Sequence, residues 1–127
     1  MIALGALSEA GVSPVDGGTV VVISGPRFST RAESRWFARN GWTVVNMTQY
    51  PEIALARELG MCYVNISVIT DYDVGLEGEH GIAPVSMVTA LEVFKRKTAL
   101  VRDAISHAVR AAPDERTCRC AEYAMGA

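Results

Sequence analysis

No apolar run in this sequence approaches the roughly 18 residues that a membrane span requires, so no membrane partner is expected. The opening MIALGALSEAGVS lacks the basic n-region of a signal peptide. Cysteine is sparse. Cys62, Cys118 and Cys120 are too few for a disulfide framework and suit a reducing cytoplasm, the expected compartment. Cys118 and Cys120 form a C-x-C pair, but no ligand cluster beside them in the sequence completes a tetrahedral site, and no metal is expected. Charge of one sign is also missing. With 12 basic and 14 acidic residues the chain carries no nucleic-acid footprint, although a local phosphate pocket leaves no mark on a net count.

Half of the 127 residues are hydrophobic, which suits one compact domain and argues against disorder. Residues 2–10 read as a short helix, and the β-branched run Thr19 to Ile23 as a strand. Thr30 and Glu33 have the spacing of a capping box, opening a helix that Asn40-Gly41 ends. Trp42 to Met47 is a second predicted strand. Pro51 opens a helix closed by Gly60. Met61 to Thr70, apolar almost throughout, reads as a third strand buried on both faces. A Gly-rich loop from Val74 to Pro84 leads to a long helix over Val85 to Arg110. The order β-α-β-α-β-loop-α predicts an α/β fold with a mostly parallel sheet flanked by helices. The domain is placed at residues 1–112, and the aperiodic residues 113–127 are expected as a mobile tail.

Three polar runs fall at the ends of the three predicted strands: GPRFSTRAES at 25–34, NMTQYPE at 46–52 and TDYD at 70–73. In parallel sheets ligands bind outside the carboxyl ends of the strands, so these runs are expected to share a pocket. GPRFST lacks the glycines and the lysine of a P-loop. Thr30 is assigned to capping, which leaves Phe28 and Ser29 to face either a ligand or the core. Thr48 stands before a helix, where it serves an anion or bonds its own backbone. Asp71 and Asp73 lie two residues apart at the end of a buried strand, an arrangement that is costly unless a ligand or water reaches them. Close carboxylates raise each other's pKa, so one of the pair can hold a proton and donate it; the alternative is a turn or helix-capping aspartate.

Taken together, GPRFSTRAES, VVNMTQYPEIALARELGMCY and TDYD resemble the S-methyl-5′-thioadenosine phosphorylases of the trimeric purine nucleoside phosphorylase family. The resemblance runs from about Thr19 to the helix ending near Arg110. It implies phosphorolysis of a purine nucleoside by inorganic phosphate, with no cofactor, in a homotrimer of purine and methionine salvage. It places Phe28 on the purine face, Ser29 at the base, Met47 against the ribose and Thr48 on phosphate. It also places Asp71 at N7 of the leaving base, Asp73 near the 6-amino group and Val85 at the 5′-substituent. A carboxylate accepts from a 6-amino group but faces a 6-oxo oxygen lone pair to lone pair. Enzymes of the family that act on 6-oxopurines use asparagine there, so Asp71 favours adenine over hypoxanthine or guanine. Ser24 departs from the glutamate usual before GPRF. Family members are roughly double this length, so the chain matches the C-terminal half, without the glycine-containing phosphate loop and an Arg-His pair. Two alternatives stand beside this reading. One is a phosphorylase for 6-oxopurine nucleosides or methylthioinosine, and the other is a non-catalytic purine-binding or oligomerisation fragment.

Overall fold

The computed structural model describes residues 2–74 and 81–124. Its elements are α1 (Ile2–Glu9), β1 (Val20–Val22), α2 (Arg31–Arg39), β2 (Val44–Asn46), α3 (Glu52–Glu58) and α4 (Met87–Arg110), followed by a turn of 3-10 helix over Cys120–Tyr123. β1 and β2 pair in parallel, Val20 opposite Val44 and Val22 opposite Asn46, with α2 as the crossover between them. Backbone bonds from Thr43 and Val44 to Thr19 O, and from Ile23 to Asn46 O, carry the pairing one step past each end. Two of the three predicted strands are therefore present, shortened to their central residues.

Local chemistry sets the helix boundaries. Thr30 Oγ1 accepts from the Glu33 amide at 3.3 Å while Glu33 Oε2 accepts from the Thr30 amide at 2.7 Å, the reciprocal capping box. At the other end of α2 the Gly41 amide donates to Ala38 O and the Trp42 amide to Phe37 O. This Schellman pattern needs a left-handed residue, and Gly41 supplies it at φ +69°. α3 ends the same way, with Gly60 at φ +61° donating to Arg57 O and Met61 to Ala56 O. Pro51 sits one position earlier than expected, as the residue just before α3.

α1 packs on α4 through Ala3, Ala6 and Ala104, all buried, and their small side chains let the two helices approach closely. His107 Nδ1 lies 2.9 Å from Glu9 Oε2 at the edge of this contact. Beside the sheet, Trp36, Phe37 and Trp42 form an aromatic cluster with ring centroids 5.2 to 6.0 Å apart.

The third strand is a correction. Among the described residues, 61–70 form no ladder, and instead of being buried on both faces Val64 and Ile69 are 61% and 63% exposed. Apolar, β-branched composition favours a strand only where a neighbouring strand completes the backbone hydrogen bonds, and none of the described residues does so here. The Gly-rich loop expected over Val74 to Pro84 falls partly outside the described residues, at 75–80. Within the segment expected as a tail, the 3-10 turn packs on α3, Arg116 donates to Gly60 O at 2.8 Å, and the Arg57 guanidinium lies 4.4 Å from the Tyr123 ring centroid. No described helix is long and apolar enough to cross a membrane.

Among the described residues the buried apolar set is small: three alanines on α1 and α4, Ala56, Ile23 and Phe37. The accessible surface is 9452 Å², whereas a compact monomer of 13.6 kDa exposes about 6,600 Å². The chain thus exposes about 2,900 Å² more than such a monomer. Exposed apolar side chains among the described residues include Val88, Leu91 and Phe94 on α4.

Candidate functional site

Three loops meet above the carboxyl ends of β1 and β2. The first follows β1 and is fixed by the α2 cap. Arg27 makes a two-pronged ion pair with Glu33, each N–O distance 2.8 Å, and the same guanidinium donates to Phe28 O at 3.1 Å. Glu33 thus clamps both ends of residues 27–33. The Arg27 guanidinium, followed by the Thr30 amide, holds the Glu33 carboxyl down at about 2, and Glu33 in turn raises the pKa of Arg27. The clamp presents Phe28 and Ser29 inward: Phe28 is half-buried and Ser29 is 5% exposed.

The second loop follows β2. Asn46 Oδ1 accepts from the Gln49 amide at 3.4 Å and its Nδ2 donates to Gln49 Oε1 at 3.3 Å, turning the chain so that Met47 and Thr48 face the same space. Met47 lies against the first loop, and a Cβ added at Gly25 would stand 3.1 Å from its Sδ. Glycine at 25 therefore permits the close approach of the two loops. Thr48 is exposed and makes no side-chain hydrogen bond among the described residues.

The third loop carries the two aspartates, both half-buried. Ser29 Oγ donates to Asp73, 2.7 Å from Oδ1 and 3.0 Å from Oδ2. Thr70 Oγ1 donates to Asp71 Oδ1. A hydroxyl from the first loop and one from the preceding residue thereby orient the two carboxylates toward one cavity of about 640 Å³. Phe28, Ser29, Met47, Thr48, Asp71 and Asp73 all line it. Its volume lies within the range of small-molecule sites. It continues along the sheet past Trp42 and the 65–70 segment to Phe94 and Val101 of α4.

Val85 is half-buried two residues before α4 and does not line the cavity. Two features were not singled out from the sequence: the Arg27–Glu33 clamp and the hydroxyl of Thr70. Arg27 lies six residues from Glu33, a spacing with no helical signature, whereas Thr70 was legible as the first residue of TDYD. Away from the cavity, the Sγ atoms of Cys62, Cys118 and Cys120 all lie within 4.8 Å of one another.

A paired parallel βαβ unit with an acid- and hydroxyl-lined cavity beyond its strand ends is the geometry of a ligand-binding α/β domain. Residues 2–111 match the family model described as "Phosphorylase superfamily", and the chain belongs to this family. It is 52% identical over 104 residues to the S-methyl-5′-thioadenosine phosphorylase of Mycolicibacterium smegmatis, covering 82% of this chain and 39% of that protein. It is 50% identical over 109 residues to the purine nucleoside phosphorylase of Streptomyces coelicolor, covering 84% of this chain and 38% of that protein. Among solved structures, the methylthioadenosine phosphorylase from Schistosoma mansoni in complex with adenine superposes with a TM-score of 0.77 at 31% identity, over 95% of this chain and 47% of that one. The fold is thus that of the nucleoside phosphorylases, and the chain spans about two-fifths of the length of the curated relatives it matches.

Proposed function

We propose that this chain forms the base-binding side of the active site of an enzyme that cleaves S-methyl-5′-thioadenosine with phosphate, giving adenine and 5-methylthioribose 1-phosphate. The observation that carries the reading is the convergence of Phe28, Ser29, Met47, Thr48, Asp71 and Asp73 on one cavity. An oxygen of inorganic phosphate bonds to C1′ as the C1′–N9 bond breaks. The electron pair of that bond passes into the purine, and a proton delivered or held at N7 by Asp71 leaves neutral adenine. The exchange of one bond for another at C1′ involves no change of oxidation state, and no cofactor takes part. Phe28 packs on the purine face, Ser29 and Asp73 bind the base at its 6-amino side, Met47 lies against the ribose and Thr48 donates to phosphate. Val85, which does not line this cavity, is assigned to the 5′-substituent side by the family resemblance alone.

Phosphate needs more than Thr48. A neutral hydroxyl does not balance a dianion, and Asp71 and Asp73 repel it, so cationic and anion-binding groups must come from elsewhere in the assembled enzyme. The same assembly covers exposed apolar side chains of α4 such as Val88 and Leu91. The working unit is a homotrimer of completed subunits in the cytoplasm, serving purine and methionine salvage.

The test is adenine release from methylthioadenosine in phosphate buffer, by the 127-residue chain alone and mixed with the N-terminal portion of the Mycolicibacterium smegmatis relative. The chain alone should bind adenine weakly and release none from the nucleoside. The mixture should turn over. Turnover by the chain alone would overturn the need for complementing groups, and a folded mixture that neither binds adenine nor turns over would overturn the reading.

A further inference from the structure

The geometry points to a zinc site at the junction of α3 and the C-terminal segment, made by the thiolates of Cys62, Cys118 and Cys120. Cys118 lies just before the 3-10 turn that Cys120 opens, and Cys62 comes from the residues just after α3. Their Sγ atoms lie within 4.8 Å of one another, and those of Cys62 and Cys118 are 3.0 Å apart. Zinc binds thiolate at ~2.3 Å, which sets tetrahedral sulfur–sulfur separations near ~3.8 Å. The Cys62–Cys118 pair therefore has to open by less than ~1 Å, within reach of side-chain rotation at two exposed residues. Three thiolates leave the fourth position to water.

The backbone around the cluster is assembled by contacts that do not involve sulfur. Arg116 donates to Gly60 O at 2.8 Å, and Arg57 covers the Tyr123 ring. Gly60 is so close to the segment that an added Cβ would stand 3.0 Å from Ala121 Cα and 3.1 Å from Cys120 O. The ligand set is thus held in place from two sides before any ion arrives.

The chemistry of the thiols suits a cation. Zinc takes the place of the thiol protons: the three sulfurs bind the ion and release their protons to solvent. The ion then fastens the 116–124 segment to the end of α3.

Anaerobic titration of the reduced 127-residue chain with Co²⁺, as a spectroscopic stand-in for Zn²⁺, tests the site. One equivalent should bind with thiolate-to-cobalt charge-transfer absorption, and Zn²⁺ should displace it. Cys62→Ser should weaken binding on the order of 10-fold or more, since even the outer partners of a ligand are worth that much. In the unaltered chain one equivalent of Zn²⁺ should protect all three cysteines from alkylation and slow tryptic cleavage at Arg116 and Arg119. Absence of the charge-transfer band, protection confined to Cys118 and Cys120, or a Cys62–Cys118 disulfide that persists in reduced glutathione would each overturn the site.

Discussion

Removing the Ser29 hydroxyl should separate the first and third loops of the cavity. The hydroxyl is the described link between the α2 cap region and the Asp73 carboxylate, it spans 44 residues of sequence, and Ser29 is 5% exposed. A hydrogen bond to a charged group contributes about 1.5–3 kcal/mol, and the half-buried position of Asp73 lets water recover part of it, so Ser29→Ala should cost about 1.5 kcal/mol. That is roughly a tenfold change in the folding equilibrium. Asp73→Ala should cost a similar amount, and the double variant little more than either alone, a coupling of about 1.5 kcal/mol. Equilibrium urea unfolding reads this directly, because Trp36 and Trp42 stack edge-on at 5.2 Å and Trp42 also lines the cavity, so their fluorescence reports the region. Single-variant costs that add within about 0.3–0.5 kcal/mol would refute the bond as the link between the loops.

Asp71→Asn, in the complemented enzyme, should lower methylthioadenosine cleavage and raise relative activity on 6-oxopurine nucleosides, on the order of 10² in the ratio of kcat/KM, because an amide donates to O6 where a carboxylate does not. An unchanged ratio would remove Asp71 from the base site. Thr48→Val should raise KM for phosphate more than KM for nucleoside, read from initial rates with each substrate varied in turn. The Arg27–Glu33 clamp makes the first loop acid-sensitive. The Glu33 carboxyl is held at about 2 against an ordinary 4.5, so its stabilisation is complete above about 4.5 and is lost as pH falls toward 2. Amide exchange in residues 27–33 should accelerate over that window, and Glu33→Gln should remove the dependence.

The helices and the two paired strands were legible in the sequence because their signals are local. Thr30 and Glu33 are three residues apart and bond within one turn, and Gly41 and Gly60 end their helices by bonds spanning a few residues. The placement of the three polar runs at strand ends followed from the same reading, and six of the seven residues singled out for the site line one cavity. Residues 61–70 were misread because a strand is completed by another chain segment, and composition does not show whether that segment is present. Packing alone decided the rest. The Ser29–Asp73 bond joins residues 44 apart, and Cys62 meets Cys118 across 56, distances at which no sequence pattern fixes which side chains meet. Such encounters depend on how α3, the loops and the C-terminal segment close on one another, and only the tertiary structure sets that geometry.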